Sequence, residues 1–266
     1  MSEQPSQRGR VWLGALTDEA ATVDGYPESV CVIDAPLAGR AARYIAVVPD
    51  PDSAFPRART GEVGLEQGWA IAQAVREVCA ADRDSEDKRP IVAVIDVPSQ
   101  AYGRSEEAFG IHQALAAAVE AYAQARAAGH PVIGLIVGKA MSGAFLAHGY
   151  QANRLIALDD SSVEVHAMGK QAAARITQRT VEGVESLAKT ITPMAYDIRS
   201  FDSLGLLYRL IHVQDAQAPA PDDIETARTA LTDALADIAD TRDLGTRFNA
   251  GRQASVEVRK RLRAQW

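Results

Sequence analysis

Cysteine is nearly absent from the sequence, which has only Cys31 and Cys79 among its 266 residues. Two cysteines can form neither a disulfide framework nor a zinc-ligand cluster, so we expect no metal site. Both lie in apolar runs, which favours buried packing residues over reactive thiols. The sequence also lacks any run of the roughly 18 to 20 apolar residues that a membrane-spanning helix needs.

Positive charge is also in deficit, with 28 Lys and Arg against 35 Asp and Glu and a net charge of −7. This balance gives no reason to expect binding to nucleic acid or to an anionic membrane. The first ten residues are polar and lack the apolar stretch of a secretory signal. We therefore expect a cytoplasmic protein in which residues 1–10 form a flexible tail.

Short apolar segments alternate with helical patterns over much of the chain. Apolar residues at helical spacing predict one helix over 65–80 and a second from Ser105, which caps an acidic first turn, to Gly129. This alternation predicts an α/β fold with a parallel sheet covered by helices. The predicted strands are 30–33, 44–48, 91–95, 132–137, 155–158 and one near 207–213.

Composition divides the chain into a main domain and a C-terminal arm. Residues 11–215 contain the strand–helix alternation and then a mainly helical region from Gly169. Residues 216–221 (Ala-Gln-Ala-Pro-Ala-Pro) read as a linker. Residues 222–266 predict helices with both signs of charge and a thin apolar stripe, typical of an arm that packs on its own domain or on a partner.

Residues 138–144 (Gly-Lys-Ala-Met-Ser-Gly-Ala) join a buried strand to a helix through small side chains. Free backbone N–H groups at a helix start favour negative charge, so an oxyanion or enolate would be stabilised there. The competing interpretation is that small residues simply let strand and helix approach closely. No Gly-Lys-Ser/Thr follows, so this is not a phosphate-binding loop of the Walker type.

Two further segments could carry chemistry. Residues 165–170 (Val-His-Ala-Met-Gly-Lys) end a short strand and begin a helix, and they add an imidazole to a second set of N–H groups. A lone histidine such as His166 is more often structural than catalytic. Residues 95–103 form a loop at the carboxyl end of a strand, where ligands of open parallel sheets bind, although Asp96 could simply cap the turn before Pro98.

Together these segments resemble the carboxyltransferase branch of the crotonase superfamily. Its Asp-Thr-Pro-Gly-Ala-Tyr loop, Gly-Glu-Gly-Gly-Ser-Gly-Gly-Ala turn and Val-Ile-Ser-Pro-Glu-Gly-Cys-Ala run correspond in order and approximate spacing to 96–102, 138–144 and 165–172. The sequence departs from that pattern where two turn glycines are Ala140 and Met141. The Ser-Pro-Glu-Gly core is also replaced, by Ala-Met-Gly-Lys.

A closer resemblance is to the gamma-subunit family of malonate decarboxylase, carried by 61–69 (Gly-Glu-Val-Gly-Leu-Glu-Gln-Gly-Trp) and 138–170. It implies a crotonase/ClpP-like spiral of ββα units and an active site shared with a related beta subunit. The pair would decarboxylate malonyl carried on the phosphopantetheine-type arm of an acyl carrier protein. The implied partners are the beta subunit, the acyl carrier protein and its transferase subunit, with no tightly bound cofactor.

The carboxyltransferase correspondence implies roles for individual residues. Met168 and Gly169 become the candidate backbone donors to the enolate oxygen, while His166, Lys139 and Tyr102 are candidates for the group that protonates the enolate. Residues 140–143 would form a supporting wall or a second anion site. The full set of candidates for oxyanion or substrate binding is Gly138, Lys139, Ala140, Met141, Ser142, Gly143, Tyr102, Lys170 and Gln171.

Three alternatives remain open on the sequence. Residues 140–146 also resemble the nucleophile turn of Clp-type serine proteases, with Ser142, His166 and Asp215 as a conceivable triad. A second alternative keeps the fold but passes the carboxyl group to biotin. In the third, the chain completes the beta subunit's site without catalytic groups of its own.

Overall fold

The computed structural model describes residues 4–244 and 252–266. Within them a seven-stranded sheet is covered by helices on both faces. The strands are β1 (Val30–Leu37), β2 (Arg40–Val47), β3 (Ile91–Val97), β4 (Val132–Met141), β5 (Arg154–Leu158), β6 (Glu164–His166) and β7 (Arg209–Ile211). The α-helices are α1 (Arg8–Leu16), α2 (Leu65–Ala81), α3 (Arg104–Ala108), α4 (Ile111–Ala127), α5 (Ser142–Ala147), α6 (Lys170–Thr177), α7 (Val181–Ala188), α8 (Ile198–Ser203), α9 (Pro221–Asp237) and α10 (Gln253–Gln265).

The strands are ordered β1-β2-β3-β4-β5-β7, and β6 pairs with β4 beside this path. Strands β1 and β2 form an antiparallel hairpin, and the other pairs are parallel. Every residue of β3 is buried, as expected for a continuous apolar strand between two helical layers. The α/β class and the parallel sheet predicted from the sequence are therefore confirmed.

Helices α2 and α4 pack together on one face of the sheet, and α1 and α9 contact it on the other. A side chain at Gly68 would meet the backbone of Ala114, so glycine permits the close approach of α2 to α4. On the opposite face Trp12 is completely buried, and its indole Nε1 donates to the carbonyl oxygen of Ala216 at 2.9 Å. This bond joins the N-terminal helix to the segment that was predicted as a linker.

The prediction that residues 1–10 form a flexible tail is wrong for its last three residues, because α1 already begins at Arg8. The Arg8 side chain is buried, with Nη1 2.9 Å from the Asp160 carboxylate and 3.1 Å from the carbonyl oxygen of Val137. Both partners lie more than a hundred residues further along the chain. The sequence around Arg8 therefore gives no sign of them and looks like a polar tail. Residues 1–3 of that tail lie outside the described residues.

The single helix predicted from Ser105 to Gly129 is also wrong. The chain forms α3, then Gly110 with a φ of +83°, then α4. A left-handed backbone cannot continue an α-helix, and glycine adopts it without a steric cost. The break at Gly110 turns α4 onto α2, whereas the short α3 follows the loop 98–103.

The two helices of the predicted C-terminal arm differ in their environment. Helix α9 belongs to the main core, where Ala227, Leu231 and Ala234 are fully buried, whereas α10 has no buried residue. Residues 245–251 of the predicted arm lie outside the described residues. None of the helices in the described ranges has the length and apolarity needed to cross a membrane.

A buried hydrogen-bond chain fixes the end of α5 against the centre of the sheet. His148 follows α5 and is fully buried, with Nε2 3.1 Å from the Val94 carbonyl oxygen and Nδ1 3.1 Å from the Tyr122 hydroxyl. In a neutral imidazole one nitrogen donates and the other accepts. Nε2–H therefore donates to Val94, and the Tyr122 hydroxyl donates to Nδ1.

Burial lowers the pKa of His148 to about 4, below the value of about 6.5 that it regains on unfolding. The folded state therefore binds fewer protons between these values. Its stabilisation is complete above about pH 6.5 and is lost as the pH falls towards about 4. We expect His148→Gln, measured by urea denaturation at several pH values, to flatten this dependence by on the order of 3 kcal/mol. Equal slopes for the two proteins would contradict the assignment.

Candidate functional site

The segment 138–143, predicted as an open turn, belongs mostly to strand β4. Lys139, Ala140 and Met141 pair in parallel with the residues of β6. Ala140 and Met141 are also buried. Long-range pairing with β6 thus extends the strand beyond its apolar run, and a substrate contact of Ala140 and Met141 stays a prediction.

Helix α5 begins abruptly at Ser142, whose φ of +57° is left-handed. A non-glycine residue in this conformation is uncommon and carries a steric cost. The next N–H, of Gly143, donates to Oε1 of Gln100 at 2.8 Å. This bond ties α5 to the loop 98–103, and it withdraws the Gly143 N–H from binding a ligand.

Asp96 lies just before this loop, and its carboxylate binds two distant segments of the chain. Its Oδ1 accepts from the Lys139 N–H at 3.0 Å, and its Oδ2 accepts from the Ser6 hydroxyl at 2.5 Å. Gly138 lies against the same carboxylate, where a Cβ atom would collide with Oδ1. Asp96, Gly138 and Lys139 line a polar cavity of about 500 Å³ on the side of the N-terminal segment.

A second cavity, the site cavity, has a volume of about 390 Å³ and lies beside the start of α5 and the end of β6. Three predicted site residues meet there, namely Ser142, Gly143 and His166. Such a mainly apolar pocket with a few polar groups is typical of small-molecule sites. Its apolar walls include Phe145, Leu146, Val165, Pro193, Phe201 and Leu204.

His166 lies at the end of β6, and its ring stacks on Tyr196 with centroids 4.0 Å apart and an interplanar angle of 14°. Its Nδ1 is 2.9 Å from the carbonyl oxygen of Met168 and 3.2 Å from the N–H of the same residue. One nitrogen cannot both donate and accept here, and we assign the shorter contact as Nδ1–H donating to the carbonyl. This tautomer leaves the lone pair on Nε2.

Burial lowers the pKa of His166, and the hydrogen bond to the Met168 carbonyl opposes that effect. The imidazole is therefore neutral near pH 7. With Nδ1 held by a backbone carbonyl, its second nitrogen has no protein partner in the described part of the chain. Among the predicted site residues, His166 is thus the ionisable one that lines the site cavity.

Helix α6 starts immediately after this turn, with Gly169 as its N-cap. Across the described ranges, no acceptor meets the N–H groups of Gly169, Lys170 and Gln171, and the tautomer assigned to His166 also leaves the Met168 N–H free. The ammonium group of Lys170 is not free for a ligand, because it lies 3.1 Å from Glu185 and 3.8 Å from Glu164. Lys170 and Gln171 can therefore contribute backbone donors at the positive end of the helix dipole.

Tyr102 lies away from the residues that form the site cavity. Its side chain is exposed, and the Arg57 guanidinium lies 5.1 Å from its ring centroid. Lys139 lines the polar cavity beside Asp96 instead. Of the three residues predicted as proton donors, only His166 lies at the site cavity.

A profile of the malonate decarboxylase gamma subunit (MdcE) matches residues 58–266. The chain belongs to this family. A curated relative, malonyl-S-ACP:biotin-protein carboxyltransferase MADD of Malonomonas rubra, is 32% identical over 200 residues, a match that covers 74% of this chain. The chain spans 65% of the length of that relative.

Solved structures extend the similarity over nearly the whole chain. A Pseudomonas malonate decarboxylase hetero-tetramer in complex with coenzyme A matches with 60% identity and a TM-score of 0.95, covering 97% of this chain and 99% of the other. The Pseudomonas MdcD–MdcE hetero-dimer matches with 60% identity, a TM-score of 0.91 and the same coverage. Transcarboxylase 12S, at 20% identity and a TM-score of 0.65 over 87% of this chain and 41% of the other, shows the fold alone. The expected crotonase-type fold and gamma-subunit resemblance are confirmed.

Membership of the gamma-subunit family disfavours the serine hydrolase alternative, and the geometry agrees. The Asp215 carboxylate accepts from the backbone N–H groups of Gln217 and Ala218 at 2.8 and 3.1 Å. His166 Nδ1, the nitrogen that a triad aspartate would orient, is held by Met168 instead. Ser142, His166 and Asp215 therefore do not form a triad.

Two contacts of this gamma-subunit site were missed from the sequence. Tyr196, which stacks on His166, has a buried hydroxyl group without a hydrogen-bond partner in the described residues. Gln100 was recognised only as part of a loop, although its amide holds the Gly143 N–H. Neither residue stands in a local motif with its partner, because the contacts form only when distant segments meet.

Gly138→Ala tests the close contact between β4 and Asp96. The added methyl group would collide with a carboxylate already fixed by two hydrogen bonds, so we expect the free energy of unfolding to fall by about 1–3 kcal/mol. Thermal or urea denaturation would measure it. Gly183→Ala in α7 is the matched control, because the nearest atom would be 3.4 Å away and stability should not decrease. Equal stability of Gly138→Ala and wild type would contradict the contact.

Proposed function

We propose that this chain is the gamma subunit of a biotin-independent malonate decarboxylase. With a beta subunit it would convert malonyl-S-acyl carrier protein into acetyl-S-acyl carrier protein and CO2. The observation that carries this proposal is the 60% identity to Pseudomonas malonate decarboxylase over 97% of the chain. The site cavity at the ends of β4 and β6 supplies the place for the reaction.

Decarboxylation breaks the bond between the carboxylate carbon and the α-carbon of the malonyl group. The electron pair of that bond forms an enolate, whose charge lies largely on the thioester oxygen. Backbone N–H groups at the start of α6, those of Met168 and Gly169 first, are the proposed donors to this oxygen. Each donor of this kind contributes roughly 2.7–4 kcal/mol to transition-state stabilisation. Such donors need no acid–base side chain, in keeping with the apolar walls of the cavity.

The apolar walls also favour loss of the carboxylate. Phe145, Leu146 and Phe201 offer no hydrogen bond to a carboxylate that enters the site cavity. The charged reactant is then poorly solvated, whereas charge that moves towards the N–H donors is stabilised. This difference between reactant and transition state lowers the barrier.

The enolate carbon must then accept one proton, and His166 is the proposed donor. The Nε2 lone pair of the neutral imidazole would first take a proton from solvent. His166 would then give this proton to the α-carbon, which leaves the acetyl thioester and the neutral imidazole, so each CO2 released consumes one proton. Stacking on Tyr196 and the bond to the Met168 carbonyl hold the ring in position.

The proposed partners are a beta subunit, an acyl carrier protein and its transferase subunit, assembled in the cytoplasm. The Pseudomonas relatives are a hetero-dimer with MdcD and a hetero-tetramer. Exposed apolar side chains offer a surface for the beta subunit, namely those of Trp69, Tyr102, Phe109 and Leu146. The carrier would deliver malonyl on a phosphopantetheine-type arm, and no other cofactor is required.

A biotin-dependent carboxyltransferase is the second candidate. The Malonomonas rubra relative supports it, since its name gives a biotin protein as the carboxyl acceptor. Both reactions begin from malonyl-S-acyl carrier protein and differ in the fate of the carboxyl group. The higher identity to malonate decarboxylase favours release as CO2.

The first test measures CO2 release from malonyl-carrier protein without biotin, using this chain with and without its beta-type partner. We expect release only with both chains, and Ser142→Ala should retain most of the activity because no step uses the Ser142 hydroxyl. Loss of CO2 release by a thousandfold or more in Ser142→Ala would contradict enolate stabilisation by backbone donors alone. Carboxyl transfer only after addition of a biotin protein would favour the carboxyltransferase.

The second test is His166→Gln in the same complex. Loss of a general acid typically lowers the rate by about 10²–10⁴-fold, and we expect kcat to fall by at least about 10²-fold. His112→Gln is the matched control, because His112 is exposed on α4 away from the site cavity. An unchanged kcat in His166→Gln would place the proton donor elsewhere, including on the beta subunit.

A further inference from the structure

Tyr196 lies in the extended segment just before α8, and its backbone is tied to the strand that carries His166. The Tyr196 carbonyl oxygen accepts from the Val165 N–H at 2.9 Å, and Glu164 forms an antiparallel bridge with Asp197. Backbone pairing of this kind fixes a segment as an additional strand would. The Tyr196 ring therefore starts from a backbone that cannot move independently of β6.

The Tyr196 side chain belongs to a small hydrophobic cluster that is separate from the main core. The other buried members of this cluster lie on β4, α6 and α7, namely Met141, Ala173, Ala174 and Val184. Tyr196 is only 5% exposed, and the Lys170 ammonium in the first turn of α6 lies 5.4 Å from its ring centroid. The ring that stacks on His166 thus contacts α6 as well.

The aromatic face of Tyr196, and not its hydroxyl group, makes these contacts. The hydroxyl is buried without a hydrogen-bond partner in the described part of the chain. Burial, together with the Glu164 carboxylate, raises the pKa of this hydroxyl, so the phenol stays neutral. The Lys170 ammonium is itself paired with Glu185 and Glu164, at 3.1 and 3.8 Å.

The turn between His166 and α6 contains both parts of the proposed chemistry, yet it has few contacts of its own. A Cβ atom at Gly169 would meet nothing within 4 Å, and across the described ranges no side chain caps α6. The bond from His166 Nδ1 to the Met168 carbonyl is local, and a lone hydrogen bond exchanges with water at little net cost. The position of α6 relative to the imidazole is therefore set by contacts from outside the turn.

We propose that Tyr196 is a positioning residue that fixes α6 relative to His166, so that the N–H donors of α6 and the imidazole Nε2 face the same substrate. This inference rests on the proposed function, and it extends the role of the stack from the proton donor to the enolate donors. Tyr196 does not line the site cavity and acts only through these two groups. Both must lie within hydrogen-bond reach of their target atoms for catalysis.

The test compares Tyr196→Leu, which removes the aromatic face, with Tyr196→Phe, which removes only the hydroxyl. Each is made in the full chain, in complex with the beta-type partner, and Tyr196→Leu is also combined with His166→Gln. Leu231→Ala in the main core is the control for a general loss of stability, since Leu231 is fully buried on α9. If Tyr196→Leu does not fold, Tyr196→Met takes its place, because methionine fills irregular gaps.

We expect Tyr196→Leu to lower kcat for CO2 release by roughly 10–100-fold, with a smaller change in KM, and Tyr196→Phe to keep kcat near the wild-type value. In the His166→Gln background, Tyr196→Leu should lower kcat by at least about tenfold more, because the N–H donors of α6 are also displaced. No further loss in that background would overturn the proposal. Equal loss in Tyr196→Phe, or in Leu231→Ala, would also overturn it.

NMR of the complex separates this proposal from the proposed function. The signals are those of the His166 ring nitrogens, identified among the five histidines with His166→Gln, and of the Gly169, Lys170 and Gln171 amides. If the wild-type complex releases no CO2, the proposed function fails. Changes in both sets of signals in Tyr196→Leu, absent from Tyr196→Phe, would still support the positioning role. A change in only one set, or in neither, would overturn it whatever the activity.

Discussion

Strand β4 pairs with β3 at the centre of the sheet, and its first half also pairs with β5 while its last three residues pair with β6. This change of neighbour brings His166 of β6 beside the start of α5. Both central strands are buried between helical layers, so their register is fixed by packing on both faces. The site cavity therefore has one rigid wall, formed by the ends of β4 and β6, on which the proposed chemistry depends.

Around this wall, hydrogen bonds occupy most of the polar groups. Asp96 holds Lys139, Gln100 holds Gly143, and His148 binds Val94 beneath α5. Among the described residues, the N–H groups of Gly169, Lys170 and Gln171 have no acceptor at the turn from β6 to α6. An enolate would find its donors there and little competition elsewhere, which is the preorganisation that electrostatic catalysis requires.

Elements are predicted correctly from the sequence where the local residue pattern alone decides the structure. Apolar β-branched runs such as 91–95 and 132–137 became buried strands because only a core can accommodate them. The predictions are wrong where the role of a residue depends on a partner that is distant in the chain. Arg8 looked like part of a polar tail until Asp160 and the Val137 carbonyl enclosed it. The run 138–141 looked like a turn until β6 paired with it.

The α/β class, the positions of the main strands along the chain and the family all follow from the amino-acid sequence, because they depend on hydrophobic pattern and on motifs that are contiguous in the chain. Which of the candidates share a cavity became visible in the folded chain alone. Folding separated Lys139 and Tyr102 from His166 and stacked Tyr196 on that histidine. The physical reason is that a site is defined by distances between remote segments, and these are set by strand pairing and core packing.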